Sequence, residues 1–271
     1  SSAAGVIMNT PEATAAFRET FTDLEEKPVV TITNGYDAAD FSGETAARAD
    51  GKFRIVHTGY LHTDLGLQVR KNRSRYNLLG AIEAGLDILT RSHVILIKAV
   101  EQWAARRGEV AKDLEIVFAG VASEQDKTVA MKSRISEFVR FPGYVSHSES
   151  IHLVRTADLL FLPMHNLPIG RRPRIVPGKT YEYMAAGRPV LAAVPDGDAR
   201  DFLEKSGVAF LTKPDDVEGM IEQLDRVYTA WKSRASIIKP NWEFIEQFER
   251  SKLTHRLAHF FNQVLELHGR S

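Results

Sequence analysis

The chain has 271 residues, 44% hydrophobic and 26% charged, an ordinary globular composition with enough apolar material for one large core or two small ones. Lys and Arg (35) balance Asp and Glu (35) to a formal net charge of +0, which excludes a chain-wide basic field for nucleic acid or an anionic membrane. The absence of cysteine removes disulfides, thiolate metal sites and cysteine nucleophiles, and no run has the roughly 20 apolar residues of a membrane span. The default setting is a reducing cytoplasm.

The chain opens on Ser1, with an apolar run at 5–8 and a helix start at Thr10-Pro11, which predicts that a segment lies upstream. Apolar, β-branched runs follow at 28–33, 53–59, 114–120, 138–143, 158–163, 189–194 and 207–212. Between them, helical periodicity predicts helices over 92–107, 123–137, 147–156, 179–186, 199–205 and 217–232. Continuously apolar strands separated by helices define a parallel sheet covered on both faces, a doubly wound, Rossmann-like α/β domain whose sheet spans about 53–214. Two segments depart from the alternation. Residues 60–91 form a long excursion with a basic cluster at Arg70, Lys71, Arg73 and Arg75 and an amphipathic part near 77–89. Residues 241–268 read as a pair of helices whose apolar residues, among them Trp242, Phe248, Phe260 and Phe261, need a surface to bury against.

In such a sheet ligands sit at the carboxyl ends of the strands, which directs attention to 58–61, 120–123, 143–148, 163–179 and 194–198. No Walker loop, no GxGxxG after a strand and no metal-spaced His/Glu pair on one helix is present, and the nine histidines are scattered and read as surface or core residues. The strongest signal is VPGKTYEYMAAGRPVLAAVP at 176–195. Pro177-Gly178 suits a helix start whose free amides face the sheet edge, where phosphate oxygens bind, and Lys179 adds a positive charge. Glu182, one turn on, can accept two hydrogen bonds from a vicinal diol such as a ribose. On spacing alone, a solvated Lys179–Glu182 pair worth a few tenths of a kcal/mol is an equal alternative.

Six pieces in order, ITNGYD (32–37), FRIVHTG (53–59), LEIVFAG (114–120), FPGYVSHSE (141–149), ADLLFLP (157–163) and GKTYEYMAAGRPVLA (178–192), resemble the donor-binding C-terminal domain of the group 1, family 4-like retaining glycosyltransferases of the two-Rossmann GT-B class. The resemblance covers most of 28–214. It implies that Glu182, the second glutamate of the family's Glu, seven residues, Glu motif, holds the ribose hydroxyls. It further implies that the 174–179 loop, through Val176, Pro177, Gly178 and Lys179, faces the diphosphate and donor sugar. Thr58, Gly59 and Tyr60 would line the diphosphate, and Tyr144 and Val145 would pack on the base. The first motif glutamate falls at Arg174, in a cluster with Arg171 and Arg172. Tyr60 stands where an Arg is common, so Arg91, or one of Arg70, Arg73 and Arg75, is expected to supply that charge. Lys179, Arg91 and Arg174 are thus the expected catalytic residues, on a nucleotide diphosphate sugar donor, with no metal and no separate cofactor.

By the same resemblance, 1–27 is the remnant of an N-terminal acceptor domain, 28–52 the interdomain connection, 53–240 the donor-binding domain and 241–271 helices packing back toward the first domain. The expected partners are the donor, a glycan or lipid-linked acceptor, and a further N-terminal Rossmann-like domain through which the protein meets the inner membrane face, in cell-surface polysaccharide synthesis. No nucleic acid is expected. Two other readings stand beside this one: a nucleotide-sugar 2-epimerase, and a non-catalytic nucleotide-binding or interaction module.

Overall fold

A computed structural model describes residues 3–24, 26–46, 48–78, 83 and 85–269. Part of the amphipathic stretch expected at 77–89 therefore lies outside the described residues. The strands are β1 (Val6–Met8), β2 (Val29–Thr31), β3 (Phe53–Thr58), β4 (Leu114–Ala119), β5 (Val139–Gly143), β6 (Leu159–Pro163), β7 (Val190–Ala193) and β8 (Ala209–Thr212). The helices are α1 (Pro11–Thr20), α2 (Thr63–Lys71), α3 (Arg73–Leu78), α4 (Val94–Arg106), α5 (Val110–Asp113) and α6 (Glu124–Met131), followed by α7 (His147–Thr156), α8 (Lys179–Ala185), α9 (Asp198–Ser206), α10 (Val217–Lys232), α11 (Trp242–Ile245) and α12 (Arg250–Gly269).

Strands β3 to β8 form one parallel sheet in the order β5-β4-β3-β6-β7-β8, the doubly wound arrangement expected from the apolar runs. Every residue of β6 and β7 is buried, as a sheet covered on both faces requires. Period-two alternation sends β3 side chains to two cores. Phe53 and Ile55 join Trp103 of α4 and Leu224 and Tyr228 of α10. Val56 joins Tyr183 and Met184 of α8 and Phe202 and Leu203 of α9.

The 60–91 excursion is not an irregular loop: it carries α2, α3 and a 3₁₀ turn at Ile88–Thr90. β2, expected within an interdomain connection beginning at 28, pairs in parallel with β1 in a separate two-stranded sheet against which α1 packs. The tail finds its burial surface in two places. Phe244 and Phe248 pack tilted rings against Phe202 of α9, whereas α12 reaches the small sheet, where the Arg256 guanidinium donates to the Thr31 carbonyl (2.9 Å). The junction is held by the backbone of Tyr36, whose N–H donates to the Phe248 carbonyl (3.1 Å) and whose carbonyl accepts from the Arg250 N–H (3.0 Å). Among the described residues, no helix is long and apolar enough to cross a membrane.

Candidate functional site

The β3–β4 ladder runs the whole length of both strands, from Phe53↔Leu114 to Thr58↔Ala119, but β3–β6 pairing consists of Ile55↔Leu159 and Val56↔Leu160. The carboxyl ends of β3 and β6 thus separate where the strand order reverses, the place at which open α/β sheets form a ligand crevice. Helix α8 supplies the hydrogen bonds that β6 no longer gives. The Tyr183 hydroxyl accepts from the Thr58 N–H (3.0 Å), and Lys179 Nζ donates to the Thr58 carbonyl (2.6 Å). Four residues apart, the two side chains share one face of the helix. Burial pushes the Tyr183 hydroxyl up to about 12, so it stays protonated.

Beneath Lys179 lies His57, 1% exposed. Its Nδ1 is 2.9 Å from the Phe161 carbonyl and its Nε2 is 3.1 Å from Lys179 Nζ. A carbonyl only accepts, so Nδ1 carries the ring proton and Nε2 offers its lone pair to the lysine. Burial first, then the charge of Lys179, holds the imidazole well below the usual histidine range, and the ring is neutral. Lys179 itself is pushed down to about 7, by burial first and by Arg91 second, with Glu182 pulling the other way. Lys179 is partly exposed as a residue, and its amine is held by His57 and Thr58.

Arg91 is delivered to the same crevice by a stitched loop. The backbones of Asp87 and Asn166 exchange hydrogen bonds (3.1 and 3.2 Å), and the Thr90 hydroxyl accepts from the Asn166 N–H (2.7 Å). The Arg91 carbonyl in turn accepts from the His62 N–H (3.1 Å). Among the described residues, the half-buried Arg91 guanidinium has no hydrogen-bond or ion-pair partner, and burial lowers its pKa. His62 and His165 are held below the usual histidine range by burial, then by the charge of Arg91. The crevice is therefore rich in nitrogen bases.

The floor is bare backbone. Gly59 (φ +100°) donates its N–H to the Ala119 carbonyl at 2.7 Å, and Gly120 (φ +135°) donates to Gly143 at 2.9 Å. A Cβ on Gly120 would lie 2.7 Å from the Gly59 oxygen, and one on Gly59 would lie 3.0 Å from Lys179 Nζ, so neither position admits a side chain without strain.

The structure brings Lys179, Arg91 and Gly59 together and places Glu182 one turn along α8. Among the described residues, Glu182 makes no ion pair with Lys179 and its carboxylate has no partner, so the solvated Lys–Glu pair does not form; Lys179 turns to β3 instead. Val176 is buried, and Pro177 and Gly178 lead into α8, with the Thr180 N–H donating to the Pro177 carbonyl (3.0 Å). Tyr60 is 53% and Tyr144 85% exposed at the ends of β3 and β5, while Val145 packs on the core.

The basic groups expected to cluster are dispersed. Arg172 pairs with Glu12 (2.8 Å) and Asp201 (2.6 Å), and Arg171 with Glu83 (3.0 Å), so Arg174 alone of the three keeps an exposed, unpaired guanidinium among the described residues. The Arg174 backbone is fixed, its carbonyl accepting from the Thr10 hydroxyl (3.2 Å). Arg70 is taken by Asp87 (2.5 Å), and Lys71, Arg73 and Arg75 remain exposed. The residues that sequence reasoning missed are His57, His62 and His165. For His57 a signal existed: it occupies the inward parity of β3 shared by Phe53 and Ile55, where an apolar residue is expected.

The fold thus sets Lys179 and Arg91 at the switch point of a doubly wound sheet, the position at which open α/β sheets form a ligand crevice. Residues 86–230, just over half of the chain, match the model of the group 1 glycosyl transferases, and the chain belongs to that family. No curated protein matches it. Among solved structures, it is similar to Anabaena HepE in complex with UDP (16% identity, TM-score 0.64), covering 96% of this chain and 64% of that one. A glycosyltransferase from Rickettsia africae (14% identity, TM-score 0.68) is covered over 63% of its length by 96% of this chain. The pneumococcal O-GlcNAc transferase GtfA, in complex with UDP and GlcNAc (13% identity, TM-score 0.58), is covered over 45% of its length by the same 96%. At these identities the likeness is one of fold, and the chain spans under two thirds of each of these proteins.

Proposed function

We propose that this chain is the donor-binding part of a glycosyltransferase that transfers a sugar from a nucleoside diphosphate sugar to a glycan or lipid-linked acceptor. The observation that carries the reading is the Lys179 amine, held by His57 and Thr58 beside the unpaired Arg91, over a side-chain-free floor at the switch point. Breaking the glycosidic bond leaves negative charge on the diphosphate. Cations and amides already fixed where that charge grows stabilise the transition state more than the ground state. In this reading Lys179 and Arg91 meet the diphosphate, together with the backbone at Gly59 and the amides of Gly178 and Lys179. Glu182 holds the ribose hydroxyls, Tyr144 and Val145 bear on the base, and Arg174 faces the donor sugar.

The two-stranded β1–β2 sheet, with α1 and α12, is too small to be stable by itself. We assign it to a second lobe, completed by the additional length that the relatives possess, which carries the acceptor and any contact with the inner membrane face. Because HepE and GtfA are solved with UDP, uridine diphosphate is the first probe. Calorimetry on the chain with UDP, GDP and ADP tests the reading. At least one is expected to bind weakly, and Glu182→Ala should weaken that binding by about 1–3 kcal/mol through loss of buried hydroxyl partners. Binding of none of the three, or an affinity unchanged by Glu182→Ala, would overturn it.

A further inference from the structure

A donor-binding role asks for a cation at position 179 but not for an imidazole under it. A carboxylate at the position of His57 would keep Lys179 permanently charged and neutralise it toward a phosphate. An aliphatic residue would leave the amine with the Thr58 carbonyl as its single acceptor. The buried His57 ring does neither. Its Nδ1–H is committed to the Phe161 carbonyl at 2.9 Å, where β3 and β6 have ceased to pair, so the ring is fixed in plane and tautomer. Its Nε2 lone pair and the Thr58 carbonyl are the two acceptors that hold the lysine, at 3.1 and 2.6 Å.

The hydrogen count at Nζ then becomes decisive. An uncharged amine has two hydrogens, and both are engaged by His57 and Thr58. A third N–H exists only in the ammonium form, and it is the one free for a phosphate oxygen. The surroundings oppose that third hydrogen while the crevice is unliganded: burial first, then Arg91 from the stitched loop, disfavour the charge, with His62 at the start of α2 nearby, and Glu182 on α8 favours it. His165, after β6, feels the charge of Arg91, and His93, just before α4, acts electrostatically on His57.

We propose that His57 is a positioning residue: a neutral imidazole locked as the Nδ1–H tautomer that aims the Lys179 amine at the switch point, so that a bound diphosphate draws a proton onto Lys179. The proton comes from solvent or its buffer, which gives up one bond to hydrogen as the third N–H of Lys179 forms, and binding and protonation are linked. This inference rests on the donor-binding reading and adds to it a second residue and a pH dependence.

The test uses UDP and the whole chain. Above pH 7.5 the terminal phosphate, with a second pKa of about 6, is already ionised, so proton uptake reports the protein. Calorimetry at pH 7.5 and 8.5, in buffers of different ionisation enthalpy, should show uptake approaching one proton per UDP and an affinity that falls by up to about tenfold across that pH unit. His57→Gln, whose amide oxygen replaces the Nε2 acceptor, should keep both the uptake and most of the affinity. His57→Phe should lose about tenfold or more in affinity. His57→Glu, which charges Lys179 in advance, should abolish the uptake. Nitrogen-15 spectra of the wild-type histidines, which need no variant to fold, should show His57 as the neutral Nδ1–H tautomer. Binding of UDP without proton uptake, an Nε2–H or charged His57, or a Phe variant that binds as tightly as the wild type would overturn the inference while leaving the donor reading intact. No UDP binding by the wild type, with GDP and ADP also failing, overturns the donor reading and this inference with it.

Discussion

Replacing Lys179 with Met keeps the length of the side chain but removes its titration, and the consequence is a change in how stability depends on pH. Folding lowers the lysine from 10.5 to about 7. Between these values the unfolded chain binds more protons than the folded one, so stability rises with pH throughout that window, and the destabilisation is fully present below about pH 7. Linkage with these two values puts the burden of Lys179 at about 4 kcal/mol at pH 7 and about 2 kcal/mol at pH 9. Lys179 is partly exposed, and solvent screening of the difference leaves roughly 1–2 kcal/mol. Urea denaturation of both proteins at pH 7, 8 and 9 isolates the effect, because titrations common to both cancel in the difference. His57, held well below its usual range, stays neutral throughout and adds nothing. The wild type should gain about 1–2 kcal/mol on the Met variant between pH 7 and pH 9. Parallel stability curves, with a gap constant to about 0.5 kcal/mol, would refute the claim that the amine is buried against a neutral partner.

Tyr183→Phe leaves the buried Thr58 N–H without an acceptor and should cost about 1–3 kcal/mol in denaturation experiments, without altering the pH slope assigned to Lys179. Gly59→Ala combines a backbone at φ +100° with a Cβ placed 3.0 Å from Lys179 Nζ, so UDP affinity measured by calorimetry should fall along with about 1 kcal/mol or more of stability. Arg174→Ala, at an exposed and unpaired side chain, should change stability by less than about 0.5 kcal/mol, and should weaken UDP-glucose more than UDP if Arg174 faces the donor sugar.

The sheet was legible because its strands are continuous apolar runs, and the sharpest helix boundaries coincide with local caps. Helix α7 begins at its expected residue because Ser146 and Glu149 form a capping box, and α10 because the Asp216 side chain caps it. The helix expected over 123–137 stops at Met131, where the Arg134 N–H donates to the Glu101 carboxylate of α4 (2.6 Å) instead of continuing the helix. That contact is tertiary and leaves no local trace. Helix α2 was obscured by Gly66 in its interior, a residue that ordinarily argues against helix.

At the site, the motif carried the position of α8 but not the direction of Lys179. The choice between Glu182 on its own helix and His57 more than a hundred residues earlier is made by where β3 and β6 part. The same non-local geometry pairs Arg172 with Glu12 and Arg70 with Asp87, which dissolves clusters that look compact in the sequence. His57 was within reach of the alternation pattern of β3, whereas His62 and His165 converge only through the stitched 87–91 and 164–166 segments.

Titrating the isotopically labelled chain with UDP while following its backbone amide resonances reads out whether the switch-point crevice receives a nucleoside diphosphate. Shifts are expected to concentrate at Gly59 and Tyr60, Gly120, Tyr144 and Val145, and the start of α8 from Gly178 to Glu182. Shifts confined to the surface between α12 and the β1–β2 sheet, or saturating binding that leaves Gly59, Lys179 and Glu182 unmoved, would contradict that reading.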